Sequence, residues 1–198
     1  FLVLKRYSMM GDTLSHSSLA GVAIGLVFGY NPILTSFIFT SAAGLVIEFL
    51  RNYYKKYAEL ILVIVLTFSV GIAIVLISTG KANANVNSYL FGSILTVSKG
   101  ELRAVFLMSI ISVLTLLLLY NQLLYITFDE EGAKICGIKV KLINYLFALL
   151  VGATISISIR ILGILVISSM IAMPVAASLQ LHKGFKLTFI FAIIFGFI

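Results

Sequence analysis

The chain has 198 residues, 61% of them hydrophobic and 11% charged. Soluble domains carry about 45–50% apolar and about 25% charged residues, so this chain has too little polar surface to cover itself in water. That composition excludes a disordered chain, a disulfide-rich secreted domain and an ordinary cytosolic enzyme; the single cysteine, Cys136, can close no intrachain disulfide. The net charge of +7 is held in short basic clusters between apolar runs. Clusters of that kind fit membrane topology and anionic headgroups, not nucleic acid.

A spanning helix needs about 20 mainly apolar residues. In chain order the candidates are Leu14–Tyr30, Ile33–Leu50, Leu60–Ser78, Leu102–Phe128, Leu142–Ile159, Leu162–Leu181 and a last run from Phe185. Asn31-Pro32 supplies the turn after the first. Between the third and fourth of these spans lies Thr79–Glu101, whose apolar core Tyr89–Val97 is too short to cross. It is expected to be re-entrant or interfacial, with both ends on one side and its backbone surrounded by protein.

That expectation agrees with the charges. Placing Lys5/Arg6, Arg51/Lys55/Lys56, Lys134/Lys139/Lys141 and Lys183/Lys186 in the cytoplasm puts 10 of the 14 basic residues inside. This is the bias of the positive-inside rule, and it requires that Thr79–Glu101 does not cross. The polar stretch Asp129–Lys141 then lies in the cytoplasm as a short amphipathic segment. The chain opens on Phe1 and stops within the apolar run Lys186–Ile198. It is expected to be one transmembrane domain, residues 1–198, from a longer membrane protein.

The strongest local constellation is Gly11-Asp12-Thr13-Leu14-Ser15-His16. On a helix, residues four apart share a face, so Asp12 and His16 converge. A carboxylate oxygen with an imidazole nitrogen suits a borderline divalent cation, and ionisable groups inside a membrane usually face a pathway or a partner. One pair is a weak site; a two-fold dimer would offer two pairs. The alternative is that Asp12 caps the helix while His16 sits at headgroup level. Beside this pair run Ser17, Gly21, Gly25 and Gly29, four residues apart. That small-xxx-small stripe lets helix backbones approach closely, which predicts a first helix buried in the bundle.

Pro174 interrupts an apolar run and predicts a kink, which in a transporter can shape the pathway. Arg160 and His182 read as residues flanking helix ends. Glu48 near Arg51, and Glu59 near Lys55, read as charges at the cytoplasmic boundary. The sequence has no P-loop, HExxH or G-x-S-x-G motif, so no enzyme is expected.

Taken together these segments resemble the ABC-3 family of zinc/manganese permeases. GDTLSHSSLAGVAIG is similar to the family's G-D-x-x-x-H-x-x-x-x-G-V-A signature. Asn87–Ser98, NSYLFGSILTVS, resembles its Y-L-F-G-x-x-L-x-V-S segment, Asp129–Val140 its D-x-E-x-A-x-x-x-G segment, and Gly163–Ala177 its G-x-L-L-V-x-x-L-L-I-x-P-A-A run.

The resemblance implies an all-α polytopic bundle of about eight or nine helices in the full chain, acting as the permease subunit of a binding-protein-dependent importer. It further implies a homodimer in the cell membrane, driven by a separate cytosolic ATPase and supplied by an extracytoplasmic metal-binding protein. Asp12 and His16 match the family's acid and histidine on the metal path. The 129–141 segment, with Asp129, Glu130, Glu131, Ala133 and Gly137, matches the part expected to dock on the ATPase. No permanently bound cofactor is implied, only the transported zinc or manganese. Some zinc-importing relatives carry a histidine in the span corresponding to Leu60–Ser78; this chain has none. A cobalamin- or siderophore-type permease and an ion-coupled secondary carrier are the alternative readings.

Overall fold

The computed structural model describes residues 8–80, 83–93, 97–181 and 183–197, which contain helices and no strand. Lys5, Arg6, Lys81 and His182 lie outside the described residues. The helices are α1 (Ser8–Phe28), α2 (Pro32–Tyr53), α3 (Ala58–Ser78), α4 (Asn83–Phe91), α5 (Lys99–Phe128), α6 (Glu130–Ile135), α7 (Val140–Leu162), α8 (Ile164–Leu179) and α9 (Gly184–Phe197).

Their boundaries follow local chemistry. Asn31 caps α2: its side chain accepts the Ile33 N–H at 3.0 Å, and Pro32 occupies the first turn, where no N–H is needed. α5 opens on a capping box, in which Ser98 Oγ accepts the Glu101 N–H at 3.2 Å and Glu101 Oε2 accepts the Ser98 N–H at 2.8 Å. α6 opens on Asp129, whose Oδ1 accepts the Gly132 N–H at 2.8 Å. It closes on a Schellman turn: Ile138 N–H reaches the Ala133 carbonyl, Gly137 N–H reaches that of Lys134, and Gly137 takes φ 80°.

α2, α3 with the turn before it, α5 and α7 are long and apolar enough to cross a membrane. The most apolar stretch of α5 has no buried residue, so α5 lies on the outside of this bundle. α1 has membrane length, 21 residues, but carries Asp12, His16 and several hydroxyls. It is enclosed instead by α2 and α3, with α7 and α8 completing the wall. Met10, Leu14, Ile47, Leu62, Ile159 and Ile164 form the core around it, and a second core of Leu123, Ile126, Ala133, Val140 and Phe147 seats α6 between α5 and α7.

Helix association in lipid gains little from burying apolar surface, so small residues and hydroxyls decide it. α1 follows that rule. Ser17 Oγ lies 2.8 Å from Ser69 Oγ on α3, and Ser18 Oγ lies 2.7 Å from Ser36 Oγ on α2. A Cβ on Gly21 would fall 2.6 Å from Ser36 Cα, and one on Gly25 would fall 2.8 Å from Pro32 Cα. The expected stripe stops there. Gly29 has left the helix with φ 75°, and a Cβ on it would meet nothing within 4 Å. Its role is to turn the chain toward α2, not to pack against it.

α4 is nine residues long, too short to span, and packs on α7 and α8. Its end is locked to the α7–α8 junction by two glycines, Gly92 at φ 76° and Gly163 at φ 78°. A Cβ on Gly163 would lie 2.6 Å from the Leu90 carbonyl oxygen, so the two backbones touch there. The Ser93 N–H donates to the Arg160 carbonyl at 3.1 Å, and the Arg160 guanidinium pairs with Glu101 at the start of α5. The ends of α4, α5 and α7 therefore meet at one level, on the side assigned above to the exterior.

Candidate functional site

Along α1 from Met10 to Ala23, every side chain is buried except two, Asp12 and His16. Their side chains are 39% and 32% exposed, with His16 Nε2 at 3.7 Å from Asp12 Oδ1. The pair thus forms a polar opening in an otherwise sealed helix. Asp12 lies four residues inside the start of α1, so it is not the helix cap.

The neighbouring helix completes the opening. Ser168 on α8 donates its hydroxyl to Asp12 Oδ1 at 2.5 Å. α8 comes this close because Gly11 has no side chain: a Cβ there would stand 2.8 Å from Ile171 Cγ2. Ser168 is 156 residues from Asp12, so no spacing rule points to it. The double glycine contact of Gly92 and Gly163 fixes where α8 begins, and so fixes Ser168.

The separation of 3.7 Å between Oδ1 and Nε2 is too long for a strong hydrogen bond. Two ligands on a tetrahedral ion with bonds of about 2.0–2.1 Å stand about 3.3–3.4 Å apart. A rotamer adjustment of a few tenths of an ångström brings the two atoms to that spacing. Ser168 then orients the carboxylate by holding one oxygen. Among the described residues no group of three or more His, Cys, Asp or Glu side chains converges, and the Asp12–His16 pair stands without a third ligand of those types there.

The remaining sequence candidates fall elsewhere. Ser17, Gly21 and Gly25 join α1 to α3 and α2. Pro174 lies inside α8, and its ring lines an apolar groove shared with Phe189 and Gly196 of α9. Asp129 caps α6; Glu130 accepts from Lys134 Nζ at 2.6 Å; Glu131 is exposed; Ala133 is fully buried. The hydrogen bond to Glu130 holds the Lys134 ammonium above its ordinary value. Arg160, read from sequence as an isolated flanking charge, is paired with Glu101.

The chain as a whole is similar to several known proteins. A probable metal transport system membrane protein of Treponema pallidum is 51% identical over 195 residues, covering 98% of this chain and 73% of that protein. The high-affinity zinc uptake system membrane protein ZnuB of Buchnera aphidicola subsp. Acyrthosiphon pisum is 32% identical, over 90% of this chain and 69% of the other. The manganese transport system membrane protein MntC of Listeria monocytogenes is 28% identical, over 99% and 70%. Among solved structures, PsaBC from Streptococcus pneumoniae in complex with Fab superimposes with a TM-score of 0.80 at 26% identity, covering 99% of this chain and 71% of that one. The model of the ABC 3 transport family matches residues 1–198, and with its all-helical, multi-pass membrane architecture this chain belongs to that family.

Proposed function

We propose that the chain is the membrane-spanning permease subunit of an ATP-driven importer of a divalent metal, zinc or manganese, and that Asp12 and His16 hold the metal in transit. The observation that carries this reading is that, between Met10 and Ala23 of α1, only those two side chains are not buried. An acid and an imidazole opened from a buried helix are costly in a membrane unless a pathway or partner meets them. The relatives named for zinc and manganese transport agree with an oxygen-plus-nitrogen site of borderline character.

Residues 1–198 act as one transmembrane domain. A second copy places its own Asp12 and His16 opposite the first pair across a two-fold axis, raising the ligand count from two to four. A separate cytosolic ATPase docks on the 129–141 segment, where the acidic first turn of α6 and the Gly137 turn present a short rigid helix. An extracytoplasmic protein delivers the metal at the face where α4, α5 and α7 end. Hydrolysis moves the segment, and alternating access opens the Asp12–His16 level to one side and then the other.

The test is metal accumulation in cells lacking their own importer, supplied with the permease, its ATPase and its binding protein. Asp12→Ala and His16→Ala abolish uptake of zinc or of manganese while membrane levels of the protein stay normal. Unchanged uptake in both variants at limiting metal removes the metal site, and retained cobalamin or siderophore uptake in the double variant would replace the substrate class.

A further inference from the structure

Aromatic side chains join the end of α5 to the start of α9. Tyr120 and Phe128 meet Phe185 with ring centroids 6.4 and 5.7 Å apart, and Tyr120 meets Phe189 at 6.3 Å. α9 itself packs along α8. Beside the rings a groove of about 390 Å³ stays open, walled by Tyr120, Leu124 and Phe128 of α5 and by Phe185 and Leu187 of α9. That volume is within the range of small-molecule sites, about 300–1,000 Å³. Lys183 and Lys186, both exposed, complete the lining. Among the described residues neither lysine is paired with a carboxylate, and no carboxylate lines the groove. The acids that follow Phe128 are engaged on α6: Asp129 accepts the Gly132 N–H, and Glu130 accepts from Lys134. The groove also lies at a membrane boundary, because Phe128 ends the span α5 and Asp129 opens the polar segment read above as cytoplasmic. Aromatic rings and basic residues are characteristic of that level.

We propose that the α5–α9 groove binds one anionic phospholipid of the cytoplasmic leaflet, its phosphate between Lys183 and Lys186 and an acyl chain along Leu124 and Phe185. The apolar wall accepts any acyl chain, so the two unpaired ammonium groups supply the selectivity. A zwitterionic lipid carries its own cation beside the phosphate and gains less from them. Basic pockets between spanning helices on the cytoplasmic side are suited to acidic headgroups, and each lysine near the surface adds to the attraction. Lys139 and Lys141 are equally exposed on the same side but do not line this groove, so they offer charge without an acyl-chain seat. A lipid seated here bridges α9 to α5 where side-chain rings alone now do so. The proposal needs the membrane setting of the chain, not the identity of its cargo.

The experiment titrates the purified full-length permease–ATPase complex, in detergent, with phosphatidylglycerol and separately with phosphatidylcholine, and counts bound lipid by native mass spectrometry. The wild type retains phosphatidylglycerol in preference to phosphatidylcholine. Replacing both lysines, Lys183→Gln with Lys186→Gln, weakens phosphatidylglycerol binding by roughly 30-fold and leaves phosphatidylcholine unaffected; the corresponding pair of arginine substitutions keeps the preference. Leu124→Trp fills the groove while both lysines remain, and weakens binding of both lipids. Lys139→Gln with Lys141→Gln removes the same charge from the same side and changes neither. An equal loss in that control pair reduces the effect to general surface charge and overturns the site. So does phosphatidylglycerol binding that is unchanged in both groove variants. A wild-type complex that retains no phosphatidylglycerol, as when a second copy or another helix of the chain fills the groove, overturns it as well. Binding is read without transport, so failure of the metal-transport reading is detected separately and leaves this result standing.

Discussion

Replacing Gly21 by alanine adds one methyl at the place where α1 and α2 approach most closely. That methyl would stand 2.6 Å from Ser36 Cα and 2.8 Å from the Thr35 carbonyl oxygen, both of them backbone atoms that cannot rotate away. Carbon atoms rest about 3.5–4.0 Å apart, so α2 must retreat by about 1 Å. The same retreat stretches the Ser18–Ser36 contact from 2.7 Å to beyond hydrogen-bonding range. Overpacking costs about 1–3 kcal/mol. A lost interhelical hydrogen bond in a membrane costs about 0.6 kcal/mol, and alanine returns up to about 1 kcal/mol in helix propensity. The net loss is about 1–3 kcal/mol, which lowers the melting temperature by roughly 4–8 °C at its midpoint. The assay is size-exclusion recovery of detergent-solubilised protein after heating. Gly71→Ala is the control, because a Cβ at that α3 position meets nothing within 4 Å; it should leave the melting temperature unchanged or slightly raised. If Gly21→Ala melts with the control, the close approach of α1 and α2 is not what holds the bundle.

Three further outcomes follow from the same geometry. Ser168→Ala removes the hydroxyl that orients Asp12, and should raise the metal concentration for half-maximal uptake by about 10-fold or more, the usual cost of losing an outer-shell partner, with little change in protein level. Ser98→Ala breaks the capping box of α5 and should cost about 1 kcal/mol, seen as a lower melting temperature and earlier proteolysis at the α5 start. From neutral pH up to the ordinary lysine value, 10.5, the Lys134–Glu130 pair should hold α6, and it should release it as pH rises through the higher value of the folded state. A spin label on Cys136 would therefore gain mobility only above that value, and in Glu130→Gln would be mobile throughout.

The legible parts of this chain were the periodic and the local ones. Apolar runs marked the four membrane-length helices α2, α3, α5 and α7 because lipid demands length and apolarity of each, while the expected span Leu162–Leu181 is broken at Gly163 and leaves α8 only 16 residues long; the four-residue spacing put Asp12 and His16 on one face because a helix leaves no other choice. Ser17, Gly21 and Gly25 were readable for the same reason. Gly29 was misread as part of the stripe: the spacing continues, but the helix does not. The apolar span was read from Leu14, whereas α1 is described from Ser8, because polar residues inside a buried helix break the apolar signal. Long-range pairs were invisible. Ser168 meets Asp12, Glu101 meets Arg160, and Gly92 meets Gly163 only after distant helices pack. Only a local signal existed near one of them: Ser98-x-x-Glu101 is a capping-box pattern that marks the start of α5 at Lys99 but not its pairing with Arg160. Glu48 shows the opposite limit, since it is buried where α2 packs against α7, which no property of α2 announces.

The central claim is that Asp12 and His16 hold the metal, and equilibrium binding of radioactive zinc to the purified permease–ATPase complex tests it without relying on turnover. The account predicts saturable zinc binding that manganese competes for and that is lost in both Asp12→Asn and His16→Gln, with the complex still assembled. Zinc bound with unchanged affinity and stoichiometry in those variants would contradict it.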